Sequence, residues 1–301
     1  RAADASSDFS SPSSCADAVA LNAQMPDSAS ARERVESVYR EIGALRVMTR
    51  MGRFNQARTR AQKLVKVAEE VGYTPATSRA QWVVGNIDAN AAEFPSAERS
   101  FFSAAVSAVE GGDHRAAAAA YAELMRLVGR QFQQYELADR YHRLALAEFS
   151  HLKSSRVRDQ LEGNLLYYLC QVDNARGEAK RAEQSCLQAM KIHERLNGSE
   201  RPPHWIYSSL ASVYPREGRY DEAFALLRQT LDVLEKTSGP EHPRTASALA
   251  NLGNLFAAQG KYPEAVDYTQ RALNIYRKTF GENSPRLYES QSLLSRWAIT
   301  Q

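Results

Sequence analysis

The sequence has little cysteine, no long apolar run and almost no charge imbalance, and each shortage removes a class of protein. Three cysteines in 301 residues, Cys15, Cys170 and Cys186, with no CxxC spacing, exclude a disulfide-rich scaffold and a zinc ribbon. They read as free, mostly buried thiols that behave as small hydrophobes. No stretch approaches the roughly 18 to 20 consecutive apolar residues of a membrane helix, so no membrane insertion by this segment is expected. Lysine and arginine total 38 against 35 aspartates and glutamates, a net charge of +3 that is too small and too scattered for a nucleic-acid-binding surface. Fifteen glycines and eleven prolines exclude a collagen-like or linker-dominated chain. With 44% hydrophobic and 24% charged residues, the composition is that of a folded, core-forming protein.

Catalytic signatures are missing as well. The chain holds no Gly-x-Gly-x-x-Gly loop, no His-Arg-Asp followed by asparagine, no Asp-Phe-Gly and no Walker loop. Six histidines are dispersed without HExxH or a paired ligand spacing, so no metal and no cofactor are expected. His193, beside Glu194, reads as a solvent-facing or dipole-compensating residue near a helix end. Gly111-Gly112-Asp113-His114 reads as an inter-helix turn, and His242 as part of one.

What is present is a repeat. A turn-like signature recurs as Gly52-Arg53-Phe54-Asn55-Gln56-Ala57, Glu93-Phe94-Pro95-Ser96-Ala97 and Gln134-Tyr135-Glu136-Leu137-Ala138. It continues as Gly177-Glu178-Ala179-Lys180-Arg181-Ala182, Gly218-Arg219-Tyr220-Asp221-Glu222-Ala223 and Gly260-Lys261-Tyr262-Pro263-Glu264-Ala265. The six alanines stand 40, 41, 44, 41 and 42 residues apart. Glycine stops one helix and proline opens the next, at Pro95 and Pro263 within units and at Gly239-Pro240-Glu241-His242-Pro243 between them. Apolar and small residues recur at three- and four-residue spacing, as in Leu249, Leu252, Gly253, Phe256, Ala265 and Ala272, and no segment alternates as a strand does. The fold expected is all-α.

This pattern resembles the tetratricopeptide repeat, W-x2-L-G-x2-Y…A-x3-F…A, with leucine in place of tryptophan. The resemblance implies a right-handed solenoid of about six helix pairs plus a C-terminal capping helix. The expected organisation is a Ser-rich lead-in segment over 1–31, with a short helix near 15–24, and a repeat domain over 32–301. Its units fall at about 32–72, 73–112, 113–153, 154–198, 199–240 and 241–281, with the capping helix at 285–299. Unit three lacks the Leu-Gly pair in register.

The Gly-Pro-Glu-His-Pro loop and Ala248-Leu249-Ala250-Asn251-Leu252-Gly253 look like kinesin-light-chain-type repeats. Ser13-Ser14-Cys15-Ala16-Asp17, Gly72-Tyr73, Leu127-Val128-Gly129 and Tyr135-Glu136-Leu137-Ala138 are similar to the C-terminal repeat region of myxobacterial eukaryotic-like serine/threonine protein kinases. That resemblance implies an upstream kinase domain and a sensing or recruiting role for the repeats. The chain begins at Arg1 and reads as a piece of something longer, with a cytoplasmic location expected unless a spanning helix precedes it.

In a tetratricopeptide array the first helices of the pairs line the concave groove. Aligned on the turn glycine, the polar and aromatic positions off the hydrophobic seam are Asn164, Tyr168 and Gln171 in unit four. They are Trp205, Ser209 and Ser212 in unit five, and Ser247, Asn251 and Asn254 in unit six. Amides can satisfy an extended peptide backbone, and aromatic rings offer flat apolar surface at small entropic cost. The same register gives Tyr39, Arg46, Arg79 and Asn86 in the first two units, a basic end that would favour an acidic peptide. The function expected is a non-catalytic scaffold that binds a protein or peptide partner. The alternative is a regulator whose groove takes up a short peptide or small molecule.

Overall fold

The structure is a computed structural model that describes residues 25–153, 155–198, 203–282, 287, 291–292 and 294–295. Among them are twelve α-helices, one short 3-10 segment over Tyr214–Glu217, and no strand. The helices are α1 (Ala29–Arg50), α2 (Phe54–Val71), α3 (Thr74–Asn90), α4 (Phe94–Glu110), α5 (His114–Gln131) and α6 (Tyr135–Ser150). They continue as α7 (Arg156–Arg176), α8 (Ala179–Asn197), α9 (His204–Val213), α10 (Tyr220–Thr237), α11 (Pro243–Ala258) and α12 (Tyr262–Phe280). The fold is all-α and built of helix pairs, as the repeat requires. The lead-in segment through residue 24, with its expected short helix, lies outside the described residues. So does most of the expected capping helix, although Leu287 is buried and Leu294 packs on the neighbouring core.

The turn inside each pair is the same device repeated. A residue of positive φ ends the first helix, and the amide that follows donates back to a carbonyl five residues earlier, or six in the third pair, where Gln134 N reaches Val128 O. Examples are Arg53 N to Met48 O, Glu178 N to Asp173 O, Arg219 N to Tyr214 O and Lys261 N to Phe256 O. This closure satisfies carbonyls that the helix end would otherwise leave unpaired. Glycine fills the left-handed position at 52, 177, 218 and 260, but Ala92 (φ 61°) and Gln133 (φ 56°) fill it in two pairs. The second of these explains the irregular third unit: Gly129 is not its turn glycine. Gly129 lies inside α5, where an added Cβ would come within 2.7 Å of Val172 and 3.1 Å of Ala138.

The chain divides into two compact units, each with its own core, and α5 and α6 contribute residues to both. In the first, Val35, Val38, Ile42 and Leu45 of α1 pack with Ala57, Ala61 and Leu64 of α2 and with Ala76, Ala80, Val83 and Ile87 of α3. In the second, Cys170, Cys186, Ile206, Leu210, Leu227, Leu231, Leu249, Leu252 and Leu273 belong to one continuous core. Asp113 caps α5 by accepting from Ala116 N at 2.9 Å, and His242 Nδ1 caps α11 by accepting from Arg244 N at 3.1 Å, so both sequences act as turns.

The cysteines correct the reading of free thiols. Cys170 of α7 and Cys186 of α8 are joined by a disulfide, with 5.3 Å between their Cα atoms. Their separation of sixteen residues is that of Gly85 and Phe101, and of Gly253 and Thr269, each a pair in direct contact. At this point of a unit the two helices are in contact. The repeat register, which sets both residues between the helices of one unit, brings the sulfurs together; what the sequence suggested as two buried thiols is a bond.

Candidate functional site

The candidate face lies in the second unit and is carried by α7, α9 and α11, the first helices of their pairs. The nine residues occur as three i, i+4, i+7 sets, so each set forms a stripe along one side of its helix. On α7, the Tyr168 hydroxyl donates to Glu123 Oε1 of α5 at 2.7 Å. Arg126 donates from Nε and Nη2 to Glu123 Oε2, at 3.0 and 2.8 Å, and its guanidinium stands 5.4 Å from the Tyr168 ring centroid. Burial alone would pull the Arg126 guanidinium down. The adjacent Glu123 charge and hydrogen bond reverse this and hold it above its ordinary value. Burial, with the Glu123 charge beside it, pushes the Tyr168 phenol well above its usual range, so it remains a donor.

Gln171, one turn further along α7, accepts from Arg130 Nη1 at 3.2 Å. Tyr167 lies between these residues and α9. Burial raises its phenol, while the hydroxyl's hydrogen bonds to Ser209 and Gln171 and the nearby arginines work in the opposite direction. Its ring centroid is 5.5 Å from that of Tyr168. Ser212 accepts from Asn174 Nδ2 at 3.0 Å and donates to the Ser209 carbonyl at 2.6 Å. Four of the nine residues, Tyr168, Gln171, Ser209 and Ser212, thus join a polar network that runs from α5 through α7 to α9. Much of their hydrogen-bonding capacity is turned toward one another.

The other five are arranged differently. Trp205 is 39% exposed and meets His193 of α8 and His204 edge-on, at ring-centroid distances of 5.6 and 5.0 Å. Ser247 lies 2.9 Å from the Tyr276 hydroxyl of α12, so its polar atom faces the second helix of its own pair. Asn164 and Asn251 are half-buried, and Asn254 is exposed. His193 is not at the surface, as its place near a helix end had suggested. It is 4% exposed, with Nε2 3.0 Å from where a Cβ on Gly163 would stand, and desolvation lowers its pKa. The approach of α8 to the glycine on α7 keeps the imidazole almost wholly out of water.

The residues missed at the sequence level are Glu123, Arg126 and Arg130. They sit on the first helix of the irregular third unit, where the Gln134 amide reaches back six residues to Val128 O, one more than in the other turns, and so shifts α5 by one residue against the repeat register. Aligned on Ala138, the positions of Asn164, Tyr168 and Gln171 fall on the buried Ala120, Leu124 and Leu127; only an offset of one residue brings Glu123 and Arg126 into register with Tyr168 and Gln171.

The first unit has its own polar features. The Arg46 guanidinium lies 5.7 Å from the Trp82 ring centroid, and Asn86 Nδ2 donates to the Trp82 carbonyl at 3.3 Å. Burial, with the Arg115 charge nearby, pulls the Arg79 guanidinium below its ordinary value. A shallow concavity of about 650 Å³ lies among α2, α3 and α4, lined by Lys63, Lys66, Gln81, Arg99, Ser100 and Ser103 among others. Among the described residues no group of three or more His, Cys, Asp or Glu could hold a metal ion. No described helix is long and apolar enough to cross a membrane.

Residues 203–278 match the family model described as tetratricopeptide repeat, covering α9 to α12 almost completely. A search of curated proteins finds no match. Among solved structures the chain is similar to NprR in complex with its cognate peptide NprX, at 14% identity and TM-score 0.64, over 87% of this chain and 73% of that one. It is also similar to a Signal Transduction ATPase with Numerous Domains protein with a tetratricopeptide repeat sensor from Pyrococcus horikoshii. That match has 14% identity and TM-score 0.58, over 85% of this chain and 37% of that one. A third similarity, to BtubC (BKLC) from P. vanneervenii, has 16% identity and TM-score 0.46 over 91% and 84% of the two chains. The first two matches are in keeping with the helix-pair architecture described above.

Proposed function

We propose that this chain is a non-catalytic scaffold that binds a peptide or protein segment along the first-helix face of α7, α9 and α11, as the recruiting or sensing part of a signalling protein. The observation that carries the reading is the contrast within this face. Its α5–α7–α9 part is a closed polar network. Next to it stand an exposed indole, Trp205, and the side-chain amides of Asn164, Asn251 and Asn254, which form no hydrogen bond among the described residues. An exposed aromatic beside amide groups suits an extended chain, whose backbone the amides can satisfy and whose side chain the ring can cover. NprR, which has a similar fold, was crystallised with a peptide, and that supports the class of ligand. The residues that resemble the repeat region of myxobacterial serine/threonine kinases support a signalling context with a kinase domain upstream.

The test begins with a peptide selected from a random displayed library on the immobilised chain, titrated by calorimetry. Truncating a buried aromatic anchor costs about 2 kcal/mol or more, whereas a rim contact costs little. Trp205→Ala should weaken the peptide by more than tenfold and Asn251→Ala by less, with helicity unchanged. Equal affinity for both variants and the parent would move the site off this face.

A further inference from the structure

The contact that joins Cys170 to Cys186 is occupied in other pairs by packing alone. In the α3–α4 pair the Phe101 ring lies against Gly85, so close that a Cβ at 85 would be 2.7 Å from it. In the α11–α12 pair Thr269 lies against Gly253, and the Cys170 and Cys186 pair stands at the same sixteen-residue separation. A glycine and a ring fill that space without a bond. In α7–α8 the two cysteine side chains meet in that space and are joined by the disulfide. The Cα separation of 5.3 Å falls within the range a disulfide needs, and the two residues are 1% and 0% exposed. Cys170 is two residues after Tyr168 and directly before Gln171 on α7, so the bond fastens the helix that carries part of the candidate face.

We propose that this chain reaches its working form in an oxidising compartment, where the Cys170–Cys186 bond holds α7 to α8 and keeps the Tyr168–Gln171 stripe in place for its ligand. The bond forms as two thiols give up two protons and two electrons to a thiol–disulfide oxidant of that compartment, whereas a reducing cytosol would leave them as thiols. Of the two locations the sequence left open, this favours the one across a membrane over the cytoplasm. The part that concerns the ligand rests on the binding face proposed above.

The Cys15→Ser variant isolates the pair. Exported to a bacterial periplasm, denatured and treated with N-ethylmaleimide, it should gain no maleimide by intact mass, and two after prior reduction. Two maleimides without reduction would overturn the proposal. Reduction should lower the melting temperature of the oxidised chain by roughly 5 °C or more. The Cys170→Ala/Cys186→Ala double variant should melt near the reduced chain and ignore reductant. The library-selected peptide should bind the double variant several-fold more weakly than the oxidised parent; equal affinity overturns the role in positioning α7. Trp205→Ala separates the two readings: if it leaves peptide affinity intact the binding face fails, while the maleimide count still decides the disulfide.

Discussion

The hydroxyl of Tyr168 on α7 donates to Glu123 on α5 across 2.7 Å, while Arg126 holds the other oxygen of the same carboxylate. A residue whose register marks it as facing a ligand therefore has its polar end committed to the chain itself, and offers a ligand only ring surface. Tyr168→Phe keeps the ring and removes the donor. It should cost roughly 1.5–3 kcal/mol, the range for hydrogen bonds to charged groups, and leave affinity for the selected peptide within about twofold. Urea denaturation with calorimetry on the same samples checks both; lost affinity with unchanged stability would place the hydroxyl on the ligand.

Gly85→Ala tests the close approach of first and second helices. Helix propensity favours alanine by up to about 1 kcal/mol, but the new methyl would press on the fully buried Phe101 ring, which has no room to yield. Overpacking of this kind costs typically 1–3 kcal/mol, so the variant should be less stable by thermal or urea denaturation. A stabilised variant would show that the helices separate easily at this point.

Ala92→Gly should act in the opposite direction. Ala92 holds φ at 61° where the equivalent turns use glycine. The left-handed conformation costs an L-residue roughly 1–2 kcal/mol, and the larger entropy of glycine in the unfolded chain returns roughly 0.4–1 kcal/mol of that. A melting temperature higher by one to a few degrees is expected; a lower one would mean the Ala92 methyl makes contacts worth more than its strain.

His193 should make the fold sensitive to acid. Desolvation lowers its pKa in the folded chain, whereas the unfolded chain protonates near pH 6.5. Between that value and the lowered one the unfolded state binds the proton that the native state refuses, so stability declines as pH falls through this window. His193→Gln removes the titration and should flatten the dependence of the urea midpoint between pH 7 and 5. His142 and His242, whose pKa values burial lowers most, leave a residual slope of the same sign. An unchanged slope in the variant would locate the acid sensitivity elsewhere.

The helical class, the pairing of helices and the turn positions were legible because they depend on neighbours within a few residues. A left-handed glycine, a proline at a helix start and three-to-four-residue apolar spacing all act locally, and repetition makes them conspicuous. Even Asp113 and His242 acted as the turn residues their surroundings implied. What lay beyond the sequence concerns contacts between helices. The longer turn closure from Gln134 to Val128 shifts α5 by one residue against the repeat register, so Glu123 and Arg126, the partners of Tyr168, went unrecognised. His193 is buried because α8 closes over Gly163, and Cys170 and Cys186, whose register already set them between the helices of one unit, are bonded rather than free. Which side chains are joined depends on interhelical distance. Periodicity specifies which face a residue occupies, and only the packed helices specify what stands opposite it.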